Sequence, residues 1–429
     1  MEPVPDAGPF VPQCKVTAKT AVSCAVDGGG TCPFTSGSEL DCGAPSAAVA
    51  VATAAGAGRA HALFSVMDNS NVWHTQWVTF GADVATPVIR NDALPQTQGS
   101  VSPRFLICAS PGEDPLAFMP GGRAAVLDGG PLVLESLPDS GSYGVVDGLL
   151  APGGRGFALL SGAGGLRLAS RAPDGTWSAT DVGGTASYPS ALALGDGGVP
   201  RIAYWLNTPS TTDELHLATP GGPDVILRRE PLRATPGRMR LAMNGADEPV
   251  VHYSYEGNHL VLSEGDGGFR RVRLVEQGVT NTCPVGVLHA TCSECPNPTC
   301  TRRGESIIDV ALAQAPDGAV YAALLMHVTD VDATVTTKST KFGGVEINCD
   351  CDIKITRDDS KTTEIVLVRV VPGAPSGVER KMSLAVPESA RELELQQVGG
   401  RFHISFIDRS VAGRLPTLHH LEFDAAQLQ

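Results

Sequence analysis

The sequence predicts an all-β chain built from repeated four-stranded antiparallel sheets, and two observations indicate this. Between Ser187 and about Arg233, four short apolar runs (ALAL, RIAYW, LHLA and VILR) are separated by segments rich in Gly, Pro, Asn and Asp. The same order of runs and turns recurs along nearly the whole chain. Because a unit of this size cannot bury its faces alone, copies must stack on one another, and we predict a β-propeller.

The composition agrees with this fold and argues against two classes of partner. The 49 Gly and 32 Pro, with only 5% aromatic residues, predict many turns, and no window shows sustained helical periodicity. A net charge of −14 makes nucleic-acid binding improbable, because phosphate binding needs a basic face. The most hydrophobic early run, from Ala47 to Ala57, is too short to span a bilayer, so we predict an inner strand there and no transmembrane segment.

The repeat divides the chain into seven units, which we take as seven blades. Their approximate bounds are 46–94, 95–139, 140–185, 187–233, 236–279, 304–386 and 387–429. Six blades is the alternative, because the second unit is irregular. The last unit lacks a fourth strand, and a ring closes best when the other end of the chain supplies it. The alternating sequence from Lys15 to Val22 is the predicted closing strand.

The fourth unit resembles the repeats of secreted bacterial propellers related to the sialidase-like, or BNR-type, family. That repeat reads loosely S-Y-P-S-L-A-L-D-x-x-G-x-P-H-I-A-Y-Y-D. The positions that fit are Ser187, Tyr188, Pro189, Ser190, Leu192, Leu194, Gly198, Pro200, Ile202, Ala203 and Tyr204. Arg201 replaces the usual histidine. The run from Ser170 to Trp177 is similar to a sialidase Asp-box, with Ala172 and Asp174 at the places of its Asp and Gly.

This resemblance implies a fold, and it carries over no activity. A sialidase would need three arginines for the substrate carboxylate, a Tyr/Glu nucleophile pair and an acidic general acid. The arginine triad has no counterpart that we can place in this sequence. Tyr253, Tyr255 and Glu256, at the end of a strand in the fifth unit, are the candidates for the catalytic pair.

Two irregular segments, 278–304 and 327–363, interrupt the repeat on either side of the same predicted strands. The first connects two blades and the second connects strands two and three of blade six, so both should leave the same face. The second segment predicts an extended β-hairpin that turns at Gly343-Gly344. Its charged residues are the predicted binding residues: Asp330, Asp332, Lys338, Lys341, Glu346, Asp350 and Asp352.

The 11 cysteines form two even groups and one remainder, which is typical of disulfides in an exported protein. The predicted disulfide cysteines are Cys14, Cys24, Cys32 and Cys42 near the N-terminus, and Cys283, Cys292, Cys295, Cys300, Cys349 and Cys351 in the two insertions. Cys108, in an apolar run, is predicted to be a buried thiol. The alternative for the second group is a zinc site, because Cys292, Cys295 and Cys300 have thiolate spacing that Cys283 or His289 would complete.

These observations predict three regions. Residues 1–13 are a flexible tether that follows a removed export signal or a lipid-anchored cysteine, residues 14–45 are a Cys-rich lead segment with the closing strand, and residues 46–429 are the propeller. The protein is therefore expected outside the cytoplasm, in the medium, at the cell surface or in the periplasm.

The predicted function is that of a non-catalytic propeller. It binds a partner, which is a protein, a surface glycan or copies of itself, through the face that carries the insertions. The alternative is a hydrolase or lyase that acts on polysaccharide at the propeller axis. That activity requires two carboxylates and a cationic group to converge at the channel mouth. Trp73, Trp77 and Trp205 are predicted to lie in the blade core, with sugar stacking as the alternative.

Overall fold

The structure of the protein is a computed structural model. It describes residues 14–42, 49–56, 59–67, 72–80, 88–90, 97–98, 106–108, 115–119, 122–127, 132–138, 141–183, 189–207, 212–231, 237–256, 258–265, 268–274, 280–281, 299–358, 362–372, 374, 376–409 and 417–428.

The N-terminal segment and the first two units contain twelve described strands. They are β1 (Cys14–Lys19), β2 (Cys24–Val26), β3 (Phe34–Cys42), β4 (Val49–Gly56), β5 (Arg59–Met67), β6 (Val72–Phe80), β7 (Val88–Arg90), β8 (Thr97–Gln98), β9 (Leu106–Cys108), β10 (Leu116–Met119), β11 (Arg123–Leu127) and β12 (Leu132–Ser136).

The third, fourth and fifth units are the most regular, with four strands each. They are β13 (Tyr143–Leu150), β14 (Gly156–Gly162), β15 (Gly165–Arg171), β16 (Trp177–Gly183), β17 (Ser190–Leu194), β18 (Pro200–Asn207), β19 (Thr212–Ala218), β20 (Asp224–Pro231), β21 (Met239–Met243), β22 (Pro249–Tyr255), β23 (Asn258–Gly265) and β24 (Gly268–Arg273).

The last two units include the longest strands. They contain β25 (Thr280–Asn281), β26 (Thr299–Gln314), β27 (Val320–Phe342), β28 (Val345–Asp358), β29 (Thr362–Val370), β30 (Val378–Val386), β31 (Ala390–Val398), β32 (Arg401–Asp408) and β33 (Thr417–Asp424). Short 3₁₀ helices occur at Asp196–Gly198 and Ala425–Leu428. Within the described residues, no helix has the length and apolar character needed to cross a membrane.

The strands of the described residues pair into seven antiparallel sheets, one for each predicted unit. In the regular sheets the chain runs from the inner strand outward, as in β17-β18-β19-β20, and strands from the N-terminal segment are added at the outer edges of blades six and seven. The inner strands β4, β9, β13, β17, β21, β26 and β31 contact one another in that order, and β31 contacts β4. This closed ring of sheets confirms the predicted β-propeller.

Large side chains on the faces of the sheets hold neighbouring blades together. Trp205 of blade four meets Tyr253 of blade five edge to face, with ring centroids 5.4 Å apart. Tyr321 of blade six packs on Phe402 of blade seven at 4.9 Å. All four side chains are buried. Because one aromatic side chain buries about 150–250 Å², these contacts supply much of the apolar burial between blades.

The turns between the first and second strands of blades also touch one another. The N–H of Gly245 in blade five donates a hydrogen bond of 2.8 Å to the carbonyl of Gly318 in blade six. A Cβ atom at Gly245 would lie 2.9 Å from the Cα of Gly318, so neither position has room for a side chain. The Asn-Gly and Asp-Gly steps of the repeat therefore serve this packing as well as the turn itself.

The N-terminal segment closes the ring, but the closing strand differs from the predicted one. β3 pairs along β33 and becomes the fourth strand of blade seven, with Leu40 opposite Leu418 and Phe34 opposite Phe423. The strand that begins near Lys15, β1, pairs only with the outer edge of β3. Lys15 to Val22 was predicted as the closing strand, and this prediction was wrong. Those residues alternate well but are mostly exposed, whereas β3 contains the fully buried Leu40.

The lead segment is tied to two blades. β2 pairs with β30 and extends blade six, while β3 completes blade seven. Between them the predicted disulfide forms as Cys24–Cys32. The backbone register places Cys14 directly opposite Cys42, but their side chains lie outside the described residues. The side chain of Cys108 is likewise outside them.

Truncation of the N-terminus tests which strand closes the ring. Removing residues 1–42 should lower the free energy of unfolding by at least about 4 kcal/mol, because the buried Leu40 is lost and the outer edge of β33 loses the strand that pairs with it. Removing residues 1–20, which takes away β1 alone, should cost about 1 kcal/mol or less. Urea denaturation followed by circular dichroism measures both values. Equal losses for the two truncations would contradict the assignment of β3.

Candidate functional site

Four of the inner strands carry charged side chains that come together in the ring. Asp147 lies in β13, Arg240 in β21, Asp309 in β26 and Glu394 in β31. Burial opposes the charge of Arg240, but Glu394, Asp309 and Asp147 surround it and its pKa is raised. These partners belong to blades seven, six and three. Blades three and seven do not adjoin blade five, so the four side chains meet near the axis of the ring.

Two of these carboxylates join neighbouring blades through the backbone. Asp147 and Asp309 each follow a β-bulge in their inner strand. The Leu192 N–H in the next blade donates to Asp147 Oδ2 at 2.7 Å, and the Leu393 N–H in the next blade donates to Asp309 Oδ2 at 3.2 Å. In both cases the other oxygen accepts the N–H of the following residue. Burial raises the pKa of Asp147 in spite of these hydrogen bonds.

A cavity of about 320 Å³ opens beside Asp309, where blades five, six and seven meet. Its lining residues are Arg238, Ile308, Asp309, Arg391, Glu392 and Arg409. Arg238 Nη1 lies 2.6 Å from Asp309 Oδ1, and Arg409 Nη2 donates to Glu392 Oε1 at 2.8 Å. We call this the mouth cavity.

Glu392 at the mouth cavity and Glu394 further along β31 both have raised pKa values. Burial raises the pKa of Glu392, although Arg409 opposes the shift, and burial raises the pKa of Glu394, although Arg240 opposes it. Glu392 also has a left-handed backbone, with φ 57°, next to an irregular pairing of β31 with β32. Left-handed backbone at a non-glycine residue is often found at functional sites.

Among the described residues, the charged groups near the axis and the mouth cavity balance. The four arginines are Arg238, Arg240, Arg391 and Arg409, and the four carboxylates are Asp147, Asp309, Glu392 and Glu394. The formal charges of these groups cancel. The site is therefore suited to a ligand that hydrogen-bonds rather than to one selected by a large net charge.

A long three-stranded extension of blade six, which we call the arm, projects from the propeller beside the mouth cavity. We define the arm as residues 299–306 of β26, 328–342 of β27 and 345–358 of β28. β26 pairs with β27 from the blade into the arm, across the bulge that precedes Asp309, and β28 pairs with the outer part of β27. At about 3.3 Å per residue, the arm part of β27 is roughly 45 Å long.

The arm and the mouth cavity share one face of the propeller, which we call the arm face. The arm leaves at the start of the inner strand of blade six, and Arg238 and Glu392 lie at the starts of the inner strands of blades five and seven. The two insertions were predicted to leave the same face, and their described parts, 299–304 and 328–358, do so. The predicted hairpin is present, and its turn is Gly343-Gly344, with φ of 63° and 84°. The prediction of a two-stranded arm was wrong, because β26 continues into it as a third strand.

One side of the arm is buried and contains cysteine. Cys300, Ala333, Val335 and Cys351 form a buried cluster on this side. Cys300 and Cys351 are both disulfide-bonded. Cys283, Cys292 and Cys295, on which the zinc alternative also rests, lie outside the described residues, as does the side chain of Cys349.

The predicted binding residues all lie on two strands of the arm, β27 and β28. Asp330, Asp332, Lys338 and Lys341 are in β27, and Glu346, Asp350 and Asp352 are in β28. The backbone register places Lys338 opposite Asp350 and Lys341 opposite Glu346. Pairs of opposite charge across strands favour this register. The side chains of Lys341 and Lys354 are exposed.

The catalytic candidates from the sequence lie elsewhere, between blades four and five. The Tyr253 hydroxyl donates to Glu230 Oε1 at 3.2 Å, and Arg271 Nη1 lies 2.5 Å from the same oxygen. Tyr253 is fully buried, and burial raises its pKa, with Glu230 adding to the shift. Tyr255 is buried and donates to the Pro231 carbonyl, while Glu256 is exposed at a turn.

Glu230, Pro231, Tyr255, Glu256 and Arg271 line a separate cavity of about 370 Å³. It shares no lining residue with the mouth cavity.

Two of the three tryptophans predicted for the blade core, Trp77 and Trp205, lie in it. Trp77 and Trp205 are 0% and 1% exposed, so neither can stack on a sugar. The side chain of Trp73 lies outside the described residues.

Sequence reasoning missed the axial residues. Their signal was present for three of the four inner strands: a single charged residue interrupts an apolar run in VVDGLL, MRLAM and IIDVAL.

No protein-family model matches the sequence, and no curated protein sequence matches it. Among solved structures the chain is similar to virginiamycin B lyase from Staphylococcus aureus, with 12% identity over 95% of this chain and 99% of that chain and a TM-score of 0.44. It is also similar to a fucose-specific lectin from Aleuria aurantia, with 9% identity over 73% and 97% of the two chains and a TM-score of 0.38. For AofleA from Arthrobotrys oligospora the identity is 12% over 81% and 96%, with a TM-score of 0.40.

The lyase and the fucose-specific lectin are β-propellers, and these likenesses concern the fold alone. At such identities and TM-scores they carry no argument about function. They do not confirm the sialidase-type resemblance of the repeats.

The hydrogen bond from Leu192 to Asp147 can be tested by substitution. Asp147→Ala should lower the free energy of unfolding by about 1–3 kcal/mol, because two N–H groups near the axis lose their acceptor. Asp181→Ala is the matched control, since Asp181 forms an exposed ion pair with Arg167, and it should change stability by about 0.5 kcal/mol or less. Urea denaturation at neutral pH gives both values. An Asp147→Ala variant as stable as the control would show that this inter-blade contact contributes nothing.

Proposed function

We propose that the protein is an exported, non-catalytic β-propeller that binds a partner through the arm face. The single observation that carries the proposal is that the arm and the mouth cavity lie together on that face. A rigid ring below them fixes their relative position, and recognition in propellers and other scaffolds usually resides in such projecting segments. Among a protein, a surface glycan and copies of itself, we favour an extended segment of a protein.

The free edge of the arm supports a protein partner. Within the described residues β28 pairs with β27 alone, so its outer edge presents backbone donors and acceptors over fourteen residues. An extended peptide can add to such an edge as a further strand. Natural proteins guard exposed edges with charge, and β28 carries Asp350, Asp352 and Lys354 at alternate positions. These charges would select among partner strands instead of admitting any apolar strand.

The rest of the described surface gives less support to a glycan as the partner. Sugar recognition commonly uses an exposed aromatic ring. Of the three described tryptophans, Trp77 and Trp205 are buried, and Trp177 is half-buried with its indole N–H donating to Glu135 Oε2 at 2.7 Å. The mouth cavity offers arginines and carboxylates, which suit the polar side chains or backbone of a peptide as well as hydroxyl groups. Disulfide bonding at Cys24–Cys32, Cys300 and Cys351 supports export to an oxidising compartment.

A library of random nonapeptides displayed on phage tests this function. Wild-type protein should enrich a family of extended sequences, and the selected peptide should bind at least about tenfold more weakly when residues 330–357 are replaced by a short Gly-containing turn. The reversal Lys341→Glu/Lys354→Glu should change the charge preference of the selected peptides. The matched control, Arg155→Glu/Arg229→Glu, reverses two exposed charges on blades three and four and should leave binding unchanged.

Three outcomes would redirect or contradict this proposal. Equal binding by the arm-deleted protein would refute the arm as the binding element. Binding only on a glycan array would assign the face to sugars. Concentration-dependent dimers in sedimentation velocity that disappear with the arm would identify a second copy as the partner.

A hydrolase or lyase at the axis is the second candidate, and one observation favours it. Glu392 and Glu394 lie close to arginines near the mouth cavity and have raised pKa values, and a raised pKa suits a carboxyl group to act as a general acid.

A panel of neutral and uronic-acid polysaccharides tests this candidate. Reducing ends would report hydrolysis, and the ultraviolet absorbance of unsaturated products would report lyase activity. If the candidate is right, Glu392→Gln and Glu394→Gln should each reduce turnover at least about a hundredfold. Glu364→Gln, on β29 of blade six, is the control and should not. Absence of turnover on the whole panel by wild-type protein would leave the binding function alone.

A further inference from the structure

Two histidines and a glutamate form a buried cluster in blade seven, away from the arm and the mouth cavity. His403 lies in β32, and His420 and Glu422 lie in β33. His403, His420 and Glu422 are 3%, 1% and 4% exposed. The register pairs His403 with Glu422, and Phe80 of blade one packs against His420, so the cluster lies on the side that faces blade one.

The three nearest ligand atoms have the spacing of a metal site. His403 Nδ1 is 3.3 Å from His420 Nε2, and Glu422 Oε1 is 3.7 Å from His420 Nε2 and 4.0 Å from His403 Nδ1. A tetrahedral zinc ion with bonds of about 2.0–2.1 Å separates its ligands by roughly 3.4 Å. A small inward movement of the glutamate would bring all three atoms into that geometry.

Neighbouring groups form hydrogen bonds with the three proposed ligands and fix their orientation. The Val398 carbonyl accepts a hydrogen bond from the His403 ring, and Ser405 Oγ lies 3.1 Å from His420 Nδ1. Arg401 Nη1 donates to Glu422 Oε2 at 2.8 Å, which leaves Oε1 facing the imidazoles. Such outer contacts fix the ring orientation and the donor atom.

A second observation points to a further ligand at the same place. Ser38 of the closing strand β3 pairs opposite His420, and it is fully buried. Its Oγ has no hydrogen-bond partner among the described residues. Buried hydroxyls are normally satisfied, so this one indicates a group that it can contact, such as a metal-bound water.

We infer that His403, His420 and Glu422 bind one zinc ion, with a water held by Ser38 as the fourth ligand. Nitrogen and carboxylate donors without thiolate favour zinc among the abundant divalent ions. The site is buried and has no described cavity, so the ion is structural rather than catalytic. It joins β32 and β33 at the point where β3 closes the ring.

Metal analysis of the whole chain tests this site. Protein dialysed against micromolar zinc and then against metal-free buffer should retain one zinc per chain by mass spectrometry. Replacement of zinc by Co²⁺ should give the intense visible absorption of tetrahedral cobalt. Chelation should lower the midpoint of thermal unfolding, and added zinc should restore it.

Two variants separate a metal site from a hydrogen-bonded pair of histidines. Glu422→Gln should weaken zinc binding tenfold or more and abolish the cobalt spectrum, and circular dichroism will verify that it is folded. His252→Gln is the matched control. His252 and His259 form a similar stacked pair in blade five, with nitrogens 3.1 Å apart, and the control should leave zinc content unchanged.

Folded wild-type protein that retains no zinc would overturn the inference and leave a metal-free hydrogen bond between His403 and His420. Zinc retained unchanged in Glu422→Gln would also overturn it, since the ion would then be bound elsewhere.

Discussion

Closure of the ring by a strand from the opposite end of the chain is the constraint on which the rest of the structure depends. β33 would otherwise be the open edge of the last blade, and β3 pairs along it with Leu40 opposite Leu418 and Phe34 opposite Phe423. The fourth strand of blade seven therefore comes from the other end of the chain, which joins the two ends of the ring. The axial charges, the mouth cavity and the histidine cluster all presuppose a closed ring.

The repeat could be predicted from the sequence because turns and apolar runs are local features of the chain. Every described sheet corresponds to a unit delimited by its Gly, Pro, Asn and Asp segments, and the hairpin of the arm followed from alternation around Gly343-Gly344. The closing strand was harder to identify. β3 reads FTSGSELDC, which appears polar because its inward positions near β33 are the small residues Gly37 and Ser38. A strand that fits against large neighbours does not need to be hydrophobic.

The axial site could not be derived in the same way. Asp147, Arg240 and Glu394 are far apart in sequence, and they meet only because each lies at a similar level of an inner strand. A single charged residue in an apolar strand marks such a position, but it does not reveal which charges face each other. Conversely, the Tyr253 neighbourhood stood out in the sequence, and the structure places its hydroxyl in a buried contact with Glu230 between blades.

β27 is one unbroken strand of 23 residues, and this has a mechanical consequence. Its base, from Tyr321 to Met326, is fixed in the core of blade six between β26 and β29, while its far end forms the arm. A pull on the arm along its length would load these antiparallel hydrogen bonds in shear, where many must break together, instead of unzipping them one at a time. Tension applied to the tip would therefore be carried into the core of blade six, and the arm would resist being pulled away from the ring.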